Sequence, residues 1–290
     1  DVVILPAFGV TMGDFARLGA IGCIVVDTTC GSVLNVWKRV ESYAQDGFTA
    51  LIHGKSFHEE TRATASQVNR HPNGKYIVVR DMAEARLVCD YIEQNEHALT
   101  LDEFRQHFRG KTVDGFDPDA DLVKVGVANQ TTMLASESLA IAAVVGRSLG
   151  VRYGENAASA HFRSFDTICS ATQERQDAVL KILQDPPDIM IVIGGYNSSN
   201  TNHLAHLCRE YCPTYHIADA TCIDPASGSV RHKPELAADA PEVTSEAWLP
   251  GGSLSLGLTA GASTPNNKIG ETIERILATR GLSAGDSPSP

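Results

Sequence analysis

The sequence has no run of about 18 apolar residues, so nothing in it is long enough to span a bilayer as a helix. It has no basic stripe either. Its 24 Lys+Arg are outnumbered by 35 Asp+Glu, for a net charge of −11, which argues against nucleic acid as a partner. Cysteine is sparse: seven residues, an odd number, lie scattered through a 290-residue chain too long to depend on disulfide staples. A reducing cytosol or stroma is the expected setting. Only Cys208 and Cys212 stand close together, and no second pair completes a zinc ribbon. A starting Met is missing as well. Asp1-Val2-Val3-Ile4-Leu5-Pro6 reads as a core strand rather than a signal peptide, so the expectation is a chain that begins inside a domain.

What is present is a repeated unit: a short apolar run, a turn of small polar residues, then a helical period. It occurs at Val2-Val3-Ile4-Leu5, Ile24-Val25-Val26, Ala50-Leu51-Ile52, Val125-Gly126-Val127-Ala128, Ile189-Met190-Ile191-Val192-Ile193 and Leu254-Ser255-Leu256-Gly257-Leu258. Alternating β and α with wholly apolar strands predicts an α/β fold of parallel sheets covered by helices. Ligands of such sheets bind beyond the carboxyl ends of the strands, where each polar turn falls. The pattern breaks in a polar stretch between Asp90 and Lys124, and residues 114–121 read as a solvated loop. Residues 218–250 read as loop-rich and acidic, with the pairs Glu235/Glu242 and Asp239/Glu246 facing solvent. The tail after Arg280 is expected to be disordered.

Two cysteines end such turns. Asp27-Thr28-Thr29-Cys30 leads into a helical pattern, and Cys169 lies between a β-like run and the pattern through Leu183. A thiol at a helix N-terminus meets unpaired N–H groups and the positive end of the dipole, which favour thiolate, the form that binds metal. A third copy, Asp219-Ala220-Thr221-Cys222, has Pro225 and Gly228 soon after it and no convincing helix. The plain alternative for each is a small buried hydrophobe in a βα turn.

Four turns have the parts for binding or catalysis. Gly194-Gly195-Tyr196-Asn197-Ser198-Ser199-Asn200-Thr201-Asn202 combines glycines, which permit close backbone approach, with neutral donors at a helix start. That is an anion cradle suited to phosphate or diphosphate; the alternative is a helix N-cap with surplus polar residues. It is neither a Walker loop nor a dinucleotide fingerprint. In Thr259-Ala260-Gly261-Ala262-Ser263-Thr264-Pro265, Ser263 either donates to a phosphate or, as the default, caps the following helix. Residues 53–61, with His58, Glu59 and Glu60, hold the components of acid catalysis, or simply a helix start with acids set on the dipole. Gln130-Thr131-Thr132 is another turn whose hydroxyls relay protons or cap.

Taken together, the turns resemble the LytB family of 4-hydroxy-3-methylbut-2-enyl diphosphate reductases, iron–sulfur oxidoreductases that end the non-mevalonate isoprenoid pathway. The resemblance runs from Leu5-Pro6-Ala7-Phe8-Gly9 to Ser263-Thr264-Pro265. Its specific pieces are Asp27-Thr28-Thr29-Cys30, His58-Glu59-Glu60-Thr61, Asn129-Gln130-Thr131-Thr132, Cys169 through Gln176 and Asn197-Ser198-Ser199-Asn200, with wording closest to the plant and cyanobacterial branch. It implies a three-lobed, pseudo-threefold arrangement of small parallel-sheet α/β domains around a 4Fe-4S cluster. The cluster is held by three cysteines, and its open iron acts as a Lewis acid. Two electrons and protons remove the substrate's hydroxyl as water, giving isopentenyl and dimethylallyl diphosphate. By motif match Cys30 and Cys169 are metal ligands, Glu60 the proton-relay carboxylate, Thr131 its partner, and His58 a catalytic and substrate-binding histidine. Ser198, Ser199, Asn200 and Ser263 match the diphosphate cradle. Ferredoxin or flavodoxin is the implied electron donor, and neither nucleic acid nor a membrane is an expected partner.

The same resemblance sets expected boundaries: residues 1–29 as a remnant of the first lobe, 30–168 as the second with its polar insert at 90–124, and 169–258 as the third. Residues 259–280 form a C-terminal helix segment and 281–290 a disordered tail. The third cluster cysteine is expected upstream of Asp1. Phe8 stands where many members carry histidine, and Gly31 where proline is usual. The rival reading is a diphosphate-binding protein without a cluster, or an inactive fragment of such a reductase.

Overall fold

The computed structural model describes residues 1–155, 158–165, 167–234 and 240–283. It divides into two compact units, residues 1–169 and 170–290. Among the described residues no helix is long and apolar enough to cross a membrane.

The first unit runs β1 (Val2–Ile4), α1 (Met12–Ile21), β2 (Ile24–Val26), α2 (Gly31–Gln45), β3 (Thr49–His53), α3 (Glu59–Ser66) and β4 (Lys75–Val79). It continues with α4 (Met82–Glu93), α5 (Leu101–His107), α6 (Pro118–Asp121), β5 (Val125–Asn129), α7 (Ala135–Tyr153), α8 (Ala158–His161) and β6 (Phe162–Ser164). β1 and β2 form a two-stranded parallel sheet; the second sheet has the order β4-β3-β5-β6, every pair parallel. All five residues of β3 and of β5 are buried, which is why these strands read as unbroken apolar runs. Strand alternation divides them between two faces. Leu51, Ile77, Val79, Val125 and Val127 pack on Val88, Ile141, Val145 and Leu149 of α4 and α7. Ala50, Ile52, Val78 and Ala128 pack on Val36, Val40 and Tyr43 of α2.

The second unit runs α9 (Ser170–Ile182), β7 (Ile189–Ile193), α10 (Ser199–Arg209), β8 (Thr214–Ile217), β9 (Ile223–Asp224), β10 (Ser229–His232), β11 (Val243–Glu246), β12 (Leu256–Ala260) and α11 (Asn266–Thr279). Its parallel sheet has the order β12-β7-β8 and its antiparallel sheet β11-β10-β9. Ile189, Ile191 and Ile193 face Ile217, Trp248 and Ile276; Met190 and Val192 face Val179, Leu204 and Cys208.

The mixed α/β architecture with three parallel sheets agrees with the sequence reading. Three details correct it. Residues 218–250 carry the three-stranded antiparallel sheet, because Ile223, Val230 and Trp248 bury against the β7–β8 core. Glu242 and Glu246 are exposed, as expected, and Glu242 is also ion-paired with Arg231 at 2.7 Å; Glu235 and Asp239 lie outside the described residues, as does the tail from 284. The polar stretch after Asp90 conceals Phe104 and Phe108, each 1% exposed, spaced i, i+4 on α5 and its C-cap. The capping box of Thr100 and Glu103 starts that helix. In the opening segment Leu5 is buried, but Val2 and Ile4 are exposed, because β2 is the only strand paired with β1 among the described residues.

One packing contact makes a direct prediction. A Cβ built on Gly126 would lie 2.5 Å from the ring of Tyr43, whose hydroxyl donates to the Val127 carbonyl at 2.9 Å. Gly126→Ala is expected to cost about 1–3 kcal/mol, read as a lowered denaturation midpoint; an unchanged midpoint would mean that Tyr43 has room to move.

Candidate functional site

In the first unit the functional turns follow β3 and β5, which lie side by side with His53 opposite Asn129. Gln130 ties the two turns together. Its N–H donates to the His53 carbonyl at 2.8 Å, and its Oε1 accepts from Lys55 N at 3.2 Å and from the Thr61 hydroxyl at 3.0 Å. Gln130 Nε2 donates to Thr132 Oγ1 at 2.8 Å. Gly54 is required beside it, since a Cβ would stand 2.7 Å from Thr61 Oγ1.

Glu60, the second residue of α3, is buried, and its carboxylate accepts from Thr131 N–H at 2.5 Å. Burial raises its pKa, opposed by the hydrogen bonds from the backbone and side chain of Thr131. His58 is the N-cap of α3: its Nδ1 accepts from Glu60 N–H at 3.2 Å, so the neutral ring carries its proton on Nε2. Burial and the nearby Lys55 ammonium hold His58 below the ordinary histidine pKa, with Glu59 acting the other way. The site therefore pairs a carboxyl biased towards its protonated form with a neutral imidazole.

Cys169 joins this group through the backbone, its N–H donating to the Thr131 carbonyl at 3.3 Å. Just before it, the Thr167 hydroxyl donates to Asn129 Oδ1. Thr131 thus contacts Glu60 through its N–H and Cys169 through its carbonyl. Cys30 is the N-cap of α2, exposed, with no capping bond from its thiol, and its N–H donates to the Ala7 carbonyl at 2.8 Å. Asp27 shapes that turn by accepting from Thr29 N–H at 2.9 Å and from its hydroxyl at 2.6 Å, contacts that hold its pKa below the usual carboxylate value. Phe8 lies edge-on to His58, ring centroids 6.3 Å apart. Asp219 accepts from Thr221 in the same way, at 2.8 and 2.5 Å, but a 3-10 turn and β9 follow, and Cys222 is buried. The third copy repeats the turn without the helix.

In the second unit the cradle lies between the ends of β7 and β12. Gly261 N–H donates to the Ile193 carbonyl at 2.9 Å, and the Thr264 hydroxyl to the same oxygen at 3.2 Å. Ser198 is the N-cap of α10, its hydroxyl accepting from Thr201 N–H at 3.3 Å, so the expected cradle residue is also the helix cap. Ser199 and Asn200 are buried. The Nδ2 and Oδ1 atoms of Asn200 have no hydrogen-bond partner among the described residues, which is costly unless a ligand satisfies them. Ser263 is exposed in the turn after β12. It does not cap the last helix, whose N-cap is Pro265 with no side-chain bond; Ser263 lies too early to reach that helix's first free N–H groups. Sequence reading gave Tyr196 of this loop no separate role and did not name His216 of β8, whose Nε2–H donates to the Gly194 carbonyl at 3.0 Å.

The unpartnered Asn200 predicts a trade. Asn200→Leu is expected to raise stability by about 1 kcal/mol, because it removes a buried unsatisfied amide, while lowering affinity for inorganic pyrophosphate about tenfold or more. Paired urea melts and calorimetric titrations check it; a destabilised variant with unaltered affinity would contradict it.

A family model described as "LytB protein" matches residues 1–277. The chain is 46% identical over 283 residues to the 4-hydroxy-3-methylbut-2-enyl diphosphate reductase of Thermosynechococcus vestitus, covering 97% of this chain and 67% of that one. A solved structure of (E)-4-hydroxy-3-methyl-but-2-enyl diphosphate reductase matches with a TM-score of 0.50 at 26% identity, covering 95% of this chain and 75% of that one. The E-1-hydroxy-2-methyl-but-2-enyl-4-diphosphate reductase structure from Plasmodium falciparum matches with a TM-score of 0.61 at 19% identity, covering 95% and 67%, a likeness of fold alone. The chain spans about two thirds of the length of the curated relatives it matches. On the family match and the 46% identity, the chain belongs to the LytB family.

Proposed function

We propose that the protein catalyses the reductive dehydroxylation of 4-hydroxy-3-methylbut-2-enyl diphosphate to isopentenyl and dimethylallyl diphosphate in the non-mevalonate isoprenoid pathway. Beside family membership, the observation that carries this reading is the contact chain from buried Glu60 through Thr131 to Cys169. It sets a buried carboxyl and a cysteine on one residue's backbone, which suits a proton donor beside a soft sulfur ligand.

The cofactor assigned is a 4Fe-4S cluster. Exposed Cys30 and half-buried Cys169, both free and both preceding helices, suit two of its thiolate positions. Among the described residues no group of three His, Cys, Asp or Glu side chains is placed to hold a metal. The third cysteine is assigned, on the family resemblance, to a segment upstream of Asp1. When bound, the cluster supplies electrons and a Lewis-acidic iron. Burial keeps a proton on Glu60 to higher pH, so that its carboxyl can deliver it where hydroxide must leave as water. Thr131 N–H fixes that carboxyl, and His58 Nε2–H donates a hydrogen bond to an anionic substrate oxygen. The diphosphate is assigned to Ser198, Ser199, Asn200 and Ser263, with the N-terminus of α10 adding its dipole. Ferredoxin or flavodoxin is the assigned electron donor, and the bacterial cytoplasm or plastid stroma the assigned place.

Iron and acid-labile sulfide analysis of anaerobically reconstituted protein carrying the upstream sequence tests the assignment. About four irons and four sulfides per chain are expected. A reconstituted protein that takes up neither would end the redox reading.

A further inference from the structure

We propose that Tyr196 is a positioning residue: it clamps the cradle loop of residues 194–202 against the antiparallel sheet through Glu242 and Arg231. The inference rests on the diphosphate reading for its functional consequence, and on geometry alone for the clamp.

Tyr196 lies two residues before the N-cap Ser198 and four before Asn200. Its hydroxyl leaves the loop and enters a relay. It donates to Glu242 Oε1 at 2.6 Å and accepts from Ala218 N–H at 3.2 Å. Glu242, at the entrance to β11, is held by Arg231 of β10 at 2.7 Å, and Arg231 also reaches Cys222 Sγ at 3.8 Å. The tyrosine's own carbonyl accepts from Asn202 Nδ2 at 2.9 Å. Its ring meets His216 edge-on, centroids 5.0 Å apart, and His216 in turn holds the Gly194 carbonyl.

The loop is thus tied at Gly194, Tyr196 and Asn202. A hydrogen bond to an ionised carboxylate is among the stronger ones, and Arg231 holds that carboxylate in place to accept it. The consequence is an Asn200 held ready for its ligand, so that binding does not have to order the loop. This also gives the antiparallel sheet a task. Arg231 of β10 and Glu242, just before β11, complete the relay.

The test uses Tyr196→Phe and Glu242→Ala, with Glu242→Gln as the conservative variant that keeps an acceptor for the hydroxyl. Hydrogen exchange over residues 194–202 is measured together with calorimetric titration of inorganic pyrophosphate, and a thermal melt confirms folding. In the Tyr196→Phe and Glu242→Ala proteins the loop amides are expected to exchange about tenfold faster and pyrophosphate to bind about tenfold more weakly, with Glu242→Gln recovering most of both. In turnover the loss is expected in KM, with kcat within about twofold. Exchange unaltered in both variants would overturn the clamp, whatever the titration shows. Faster exchange in a protein whose native form binds no pyrophosphate would uphold the clamp and overturn the diphosphate reading instead.

Discussion

Glu60→Gln is expected to lower turnover by about 10²–10⁴-fold, the usual contribution of a positioned general acid, while making the fold more stable at neutral pH. The two effects have one cause. Burial raises the carboxyl's pKa, so the folded state binds its proton more tightly than the unfolded state does. Stability then falls as pH rises from the unfolded pKa through the folded one. Glutamine carries no such cost and still offers an oxygen to Thr131 N–H. In urea titrations the variant should therefore gain on the native protein as pH rises from about 4 to 8, with little difference at the acid end. Native turnover should fall on the alkaline side as Glu60 ionises. A variant that keeps its activity, or whose stability advantage does not grow with pH, would remove Glu60 from the role of buried acid.

Cys169→Ser is expected to abolish iron retention and with it at least about 10²-fold of turnover, because a serine hydroxyl is a poor ligand for iron that soft thiolates hold. Cys30→Ser should do the same. Two other cysteines supply the contrast: burial pushes the Cys89 thiol up to about 11 and the Cys208 thiol up to about 12, so both stay protonated. Cys89→Ala should leave iron content unchanged and cost stability only. The cradle supplies the check on folding, since its residues lie within 194–264 and pyrophosphate binding should survive loss of either cysteine. Iron retained by the Cys169→Ser protein would point to another ligand set.

Strands β3, β5 and β7 were legible because burial on both faces leaves an unbroken apolar run, as in residues 50–52 and 189–193, whereas the edge strands β4, β6 and β8 are only partly buried. The polar turns at their carboxyl ends were legible for the same topological reason. Other features had no local signal. The antiparallel sheet is written in short strands such as Ser229–His232 and Val243–Glu246, where a single apolar residue stands among polar and charged ones. The burial of Glu60 depends on Thr131, 71 positions away, and the role of Tyr196 on Glu242, 46 positions away. Such pairings follow from tertiary closure rather than from periodicity. Phe104 and Phe108 are different: their spacing was visible, but the surrounding charges obscured it. Ser263 shows the converse, a residue with capping chemistry placed too early in its turn to reach the helix.

The most direct test is anaerobic incubation of reconstituted protein, including its upstream sequence, with 4-hydroxy-3-methylbut-2-enyl diphosphate and a reduced one-electron donor. Formation of isopentenyl and dimethylallyl diphosphate, lost in Cys169→Ser and in Glu60→Gln, is the predicted result. Iron-loaded, reduced protein that binds the diphosphate yet leaves its hydroxyl in place would contradict the account.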